Sequence, residues 1–148
     1  MKNFDLSECI FNGIIEGLHR FFTMNDIPFF IGGSRRFGYY RTLSDVDVFV
    51  LPKVRQIPFI QELEHMGFKP TGKTTMYPAD PFCFKNLIHI VVFPDEGEFS
   101  SLKLDHEKVE SWLLRNPQFV DFARIIQKDF GVKGSILFRT FLKLAHKS

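Results

Sequence analysis

Apolar and polar residues follow two different rhythms along this chain, and the switches between them outline its elements. From residue 5 to 24, Ile10, Phe11, Ile14, Leu18, Phe21 and Phe22 recur every three or four positions, with Glu8, Glu16, Arg20 and Asn25 interspersed. That spacing predicts a helix with one apolar side. Asp5 and Glu8, three apart, make a capping pair at its start. Gly13 and Gly17 weaken it by up to ~1 kcal/mol each unless something packs closely against them. Pro28 precedes a short buried strand, Phe29–Ile31; residues 34–38 then form a single helical turn and 39–44 a loop. Asp45–Leu51 reads as the second strand, ended by Pro52.

The helical rhythm returns over Ile57–Met66, where Phe59, Ile60, Leu63 and Met66 point inward and Gly67 serves as a C-cap. Residues 68–86 contain Pro70, Pro78 and Pro81, which predicts weak strands or a long hairpin. Leu87–Phe93 is the third clear strand, ended by Pro94. Leu104–Leu114 is helical, and Asn116-Pro117 opens another helix with Phe119, Phe122, Ile125, Ile126 and Phe130 as its apolar stripe. Gly131 and Gly134 break it before a last helix carrying Ile136, Leu137, Phe141, Leu142 and Leu144. The order α-β-β-α-(β)-β-α-α predicts an α/β (α+β) domain over 1–148, with 104–148 a helical C-terminal portion. There is no internal repeat, low-complexity tract or linker long enough to divide it.

A chain of 148 residues, 45% hydrophobic and 24% charged, is long enough to bury a core and too apolar to be disordered. Its 19 phenylalanines supply aromatic material for that core. A net charge of +2 is too small to argue for nucleic acid, so any basic surface has to be local. Cys9 and Cys83 stand in separate apolar contexts without CxxC or Cys/His spacing, which points to buried free thiols rather than structural zinc. The N-terminal residues have no h-region and no cleavage site, and no apolar run approaches the ~20 residues that span a bilayer. The expectation is a soluble cytoplasmic protein without a membrane partner.

Chemistry concentrates in one stretch. The run Phe29-Phe30-Ile31 stops at Gly32-Gly33-Ser34, and ten residues later Asp45-Val46-Asp47-Val48-Phe49-Val50 begins. Alternate strand residues share a face, so Asp45 and Asp47 lie together, about 6–7 Å apart, with Val46, Val48 and Val50 turned to the core. Paired carboxylates suit hard Mg²⁺, with Mn²⁺ as an alternative. The glycines let the backbone approach a phosphate closely, Ser34 adds a hydroxyl and exposed amides, and Arg35 and Arg36 offer charge to a polyphosphate.

Gly-Gly-Ser, a short gap, and Asp-x-Asp between apolar residues resembles the signature of the DNA polymerase β-type nucleotidyltransferase superfamily, matched over residues 29–51. The resemblance implies that Gly32, Gly33 and Ser34 hold the phosphates of an NTP. It implies further that Asp45 and Asp47 bind Mg²⁺ while an acceptor (RNA, protein or a small molecule) attacks the α-phosphate and pyrophosphate leaves. The family carries a third carboxylate on a later strand. Here that strand, 87–93, has His89 as its only polar residue, a general base or a ligand for a softer metal on one reading and a satisfied core histidine on the other. Asp95, Glu96 and Glu98, just past it, are the other sources of a third charge. The segment Leu63-Glu64-His65-Met66-Gly67-Phe68-Lys69-Pro70-Thr71-Gly72, the Ile88–Phe93 strand and Trp112-Leu113-Leu114-Arg115-Asn116-Pro117 are similar to the GrpB-like branch of that superfamily. The Gly-Gly-Ser turn departs from the Gly-Ser-Thr usual there.

Three other signals compete with this one. Gly67-Phe68-Lys69-Pro70-Thr71-Gly72-Lys73-Thr74 matches the P-loop pattern, yet an amphipathic helix precedes it and Pro78 and Pro81 follow, so a loop or hairpin with Lys73 near a nucleotide is the better reading. Arg124, Lys128, Lys133, Arg139, Lys143, His146 and Lys147 form either a solvated helix surface or a face for RNA or polyphosphate. His19, His65 and His106 fall at unrelated positions and suggest no ligand cluster. Two function classes follow. One is metal-dependent nucleotidyl transfer; the other is a catalytically degenerate protein of the same fold that binds nucleotide, RNA or a protein partner.

Overall fold

The computed structural model describes residues 6–39, 46–52, 56–71, 80–84 and 88–147. The elements run α1 (Leu6–Met24), β1 (Phe29–Gly32), α2 (Gly33–Phe37), β2 (Val46–Val50), α3 (Gln56–His65), β3 (Lys69–Pro70), β4 (Asp80–Phe84), β5 (Ile88–Val92), α4 (Glu96–Arg115), α5 (Gln118–Phe130) and α6 (Gly134–Lys147). The strands form one mixed sheet in the order β1-β2-β5-β4-β3. Only β2 and β5 are parallel; the other neighbours are antiparallel. The mixed α+β class expected from the sequence is what is found.

Alternation along β2 and β5 divides the apolar residues between two cores. Val46, Val48, Val50, Ile88, Ile90 and Val92 face Leu18 and Phe22 of α1 and Phe59 and Leu63 of α3. Phe49, Val91 and Phe93 face the other way, onto Phe37, Phe99, Leu102, Val109, Trp112 and Phe141. Strands buried on both faces read as near-continuous apolar runs, and β2 and β5 do. The interruptions, Asp47 and His89, are therefore conspicuous. Pairing of β4 with β3 stops at Phe82, one residue short of Pro81, which has no N–H to donate.

Four details depart from the sequence reading. Helix α4 starts at Glu96 rather than Leu104, because Asp95 caps it by accepting the Gly97 N–H at 2.8 Å and Glu96 and Glu98 complement the dipole of its first turn. Its buried line is Phe99, Leu102, His106, Val109 and Leu113, whereas Leu104 is 50% exposed. The expected stripe of α5 splits: Phe119, Ala123 and Ile126 pack on the core, while Phe122, Ile125 and Phe130 stand exposed. Met66 lies past the end of α3 and is half exposed. Among the described residues nothing packs within 4 Å of a side chain at Gly13 or Gly17, so no close contact there offsets their cost to α1.

Candidate functional site

The site is built where β1 turns into α2. Gly32 ends the strand in extended conformation (φ −127°, ψ −165°), and Gly33 enters the helix with φ +74°, a region that side chains disfavour. Space adds a second demand for glycine at both positions. A Cβ at Gly33 would stand 2.5 Å from Asp47 Oδ2, and one at Gly32 would stand 2.5 Å from both His106 Nε2 and a ring carbon of Phe49. The turn thus lies directly against a carboxylate on one side and an imidazole on the other. Gly38 closes α2 in the left-handed region, its N–H donating to the Ser34 carbonyl at 3.0 Å.

Strand register brings the polar groups together. Gly32 is paired with Asp47 across β1 and β2, and Asp47 with His89 across β2 and β5. The three residues form one row across three strands. Asp47 and His89 are each 34% exposed, with His89 Nδ1 and Asp47 Oδ1 3.6 Å apart. That separation exceeds a good hydrogen bond and becomes an ion pair when His89 is protonated. A third of the His89 side chain meets solvent beside a carboxylate, so it is not a sealed core histidine.

Helix α4 supplies a second layer beneath the turn. Arg36 donates from its Nη1 to the Ile31 carbonyl at 2.9 Å and from Nε to Glu110 at 3.0 Å. Its guanidinium is only 15% exposed, so Arg36 clamps α2 to β1 and α4 while leaving its charge beside the turn. One helical turn before Glu110, His106 is 2% exposed and lies against the rings of Phe30, Phe37, Phe49 and Phe138. Its Nδ1 is 2.8 Å from the Leu102 carbonyl. A carbonyl only accepts, so Nδ1 carries the hydrogen and Nε2 presents a bare lone pair towards Gly32. Burial lowers the His106 pKa to about 4, with the nearby Arg36 charge acting in the same direction. Tyr39 is fully buried beside this layer; its hydroxyl has no hydrogen-bond partner among the described residues, and burial, then the Asp47 charge, pushes its pKa above the usual phenol value.

Sequence reasoning anticipated Gly32, Gly33, Ser34, Arg36, Asp47 and His89, and the structure gathers these six around the β1–α2 turn. Asp45 and Lys73 lie outside the described residues, as do Gly72 and Thr74 on either side of Lys73 in the P-loop-like segment. Asp95, Glu96 and Glu98 sit beyond the C-terminal end of β5, whereas Asp47 and His89 sit near the start of their parallel strands. Strand direction therefore removes them from the site. Among the described residues no group of three or more His, Cys, Asp or Glu side chains is placed to hold a metal ion. His106 and Glu110 were not foreseen. Extending the i, i+3, i+4 line from Phe99 through Leu102 would have turned His106 inward.

No family model matches this sequence, and no curated protein matches it. Among the described residues no helix is long and apolar enough to cross a membrane. Comparison with solved structures finds likeness to the conserved protein GrpB from Enterococcus faecalis, with a TM-score of 0.55 and 15% sequence identity, covering 93% of this chain and 90% of that one. At that identity the likeness concerns the fold alone, and the fold of this chain is GrpB-like.

Proposed function

We propose that this protein transfers a nucleotide from an NTP to an acceptor hydroxyl or amine in a metal-dependent reaction at the β1–α2 turn. The observation that carries the reading is the row Gly32–Asp47–His89 with the Asp47 carboxylate packed on the Cα of Gly33. A glycine turn, a hard carboxylate and an imidazole then share one face.

A one-third exposed carboxylate fits a hard divalent cation. Asp47, with Asp45 two residues earlier in the chain, would hold Mg²⁺ or Mn²⁺, which would neutralise charge building on the phosphate oxygens. The backbone at Gly33 and Ser34, unobstructed by a Cβ at Gly33, would receive the phosphates, with Arg36 and Lys73 adding positive charge. His89 would take the proton from the acceptor as its oxygen or nitrogen bonds to the α-phosphorus. The bond from the α-phosphorus to the bridging oxygen breaks, and pyrophosphate leaves with its electron pair. In this scheme the imidazole takes the proton-accepting role that a third carboxylate has in the nucleotidyltransferase superfamily the sequence resembles.

The imidazole in place of an acid also favours a second reading, a protein that binds nucleotide without transferring it. Incubation with each radiolabelled NTP, Mg²⁺ or Mn²⁺, and cell extract as the acceptor source separates the two. Metal-dependent label transfer, lost in Asp47→Asn and reduced at least tenfold in a folded His89→Ala, is expected. Equal labelling by wild type and Asp47→Asn would refute the assignment. Nucleotide binding with no transfer would establish the second reading.

A further inference from the structure

The Gly32–Ser34 turn is held from below by α4 at two points one helical turn apart. Glu110 reaches it through Arg36, which also donates to the Ile31 carbonyl just before the turn. His106 reaches it directly, with Nε2 so near Gly32 that a Cβ there would be 2.5 Å away. The imidazole has little freedom to swing. Phe30, Phe37, Phe49 and Phe138 surround it with ring centroids 4.5–5.6 Å distant, and Leu102 fixes its other nitrogen. An apolar residue would fill the same volume without fixing a tautomer, and a carbon in place of Nε2 would aim a hydrogen at Gly32.

We infer that His106 is a positioning residue for the phosphate-binding turn: its bare Nε2 edge sets how deeply Gly32 can sit, and so where the amides of Gly33 and Ser34 point. This rests on the nucleotide-binding reading of the turn. It assigns the second layer of the site to α4, which supports the turn through His106 and Glu110. Depth matters because a backbone displaced by a fraction of an ångström no longer matches a ligand's geometry.

Two variants test it. His106→Phe keeps a flat ring between the four phenylalanines but lengthens it towards Gly32. His106→Leu removes the edge that supports the turn. Binding of a fluorescent ATP analogue with Mg²⁺ is measured well below each variant's melting temperature, and amide chemical shifts are recorded on the free proteins. The expected result is a Kd raised roughly tenfold in both, with shift changes at Gly33 and Ser34 exceeding those at Phe22 and Leu63 in the opposite core. Folded variants that bind like wild type, or shift changes no larger at the turn than at Phe22 and Leu63, would overturn the inference. If the wild type itself binds no nucleotide, the reading of the site fails, and the amide shifts alone decide whether His106 positions the turn.

Discussion

Acid should destabilise this protein through His106, and the size of the effect follows from its surroundings. The imidazole is enclosed by four aromatic rings, and burial holds its pKa at about 4 in the folded state against an ordinary value of 6.5. Between those values the unfolded chain binds a proton that the folded chain refuses. Stability is therefore fully present above about pH 6.5 and falls as the pH drops towards 4. Lowering the pH from about 7 to about 4.5 should cost about 2.5 kcal/mol from this group alone, on the order of 1.4 kcal/mol per pH unit in the middle of the range. The charges facing the ring act on both sides: Arg36 lowers the pKa, and Asp47 and Glu110 raise it, more weakly than burial lowers it. Urea unfolding of wild type and His106→Leu across that range is the assay, since other titrating groups are common to both chains. The variant will be less stable near neutrality for lack of the ring, but its curve should be flatter by that amount. Parallel curves would show that the ring is protonated, or solvated, in the folded protein.

Other outcomes follow from single positions. Gly33→Ala should lose at least about 2 kcal/mol in denaturant melts, because φ +74° disfavours any side chain and the new methyl meets Asp47 Oδ2. Pairing it with Asp47→Gly should recover the collision but not the backbone strain, and simple additivity of the two would refute that account. Gly17→Ala should raise the melting temperature, worth about 0.5–1 kcal/mol, since the position is open and mid-helix; a loss of stability would mean that something packs there. Asp95→Ala should cost about 1 kcal/mol as a lost helix cap and leave the proposed nucleotide transfer unchanged, whereas a folded Asp95→Ala that loses the transfer shown by wild type would return that carboxylate to the site.

The boundary between what was legible and what was not is physical. Alternation in β2 needs only the pleat, so Asp47 could be placed opposite Val46, Val48 and Val50 from sequence. The glycine turn, the caps at Gly67 and Gly131, and the start of α5 after Pro117 are likewise fixed by backbone chemistry within a few residues. Helix α4 was half missed because its first turns are dominated by Glu, Gly and Ser, and the apolar line through Phe99 and Leu102 is sparse. The exposed half of the α5 stripe was misjudged for a related reason: periodicity reports that a face is apolar, not that another element arrives to cover it.

What the amino-acid order determined by itself is local: which segments are strands or helices, that the chain must turn at Gly32–Ser34, and which face Asp47 occupies. Only the tertiary structure decided the neighbours. Parallel pairing of β2 with β5 sets His89, 42 positions later in the chain, level with Asp47. Packing of α4 across the sheet brings His106 and Glu110 under a turn more than 70 residues before them. Such contacts depend on register and on which layer covers which face, and those are settled by the burial of both cores together rather than by any one segment.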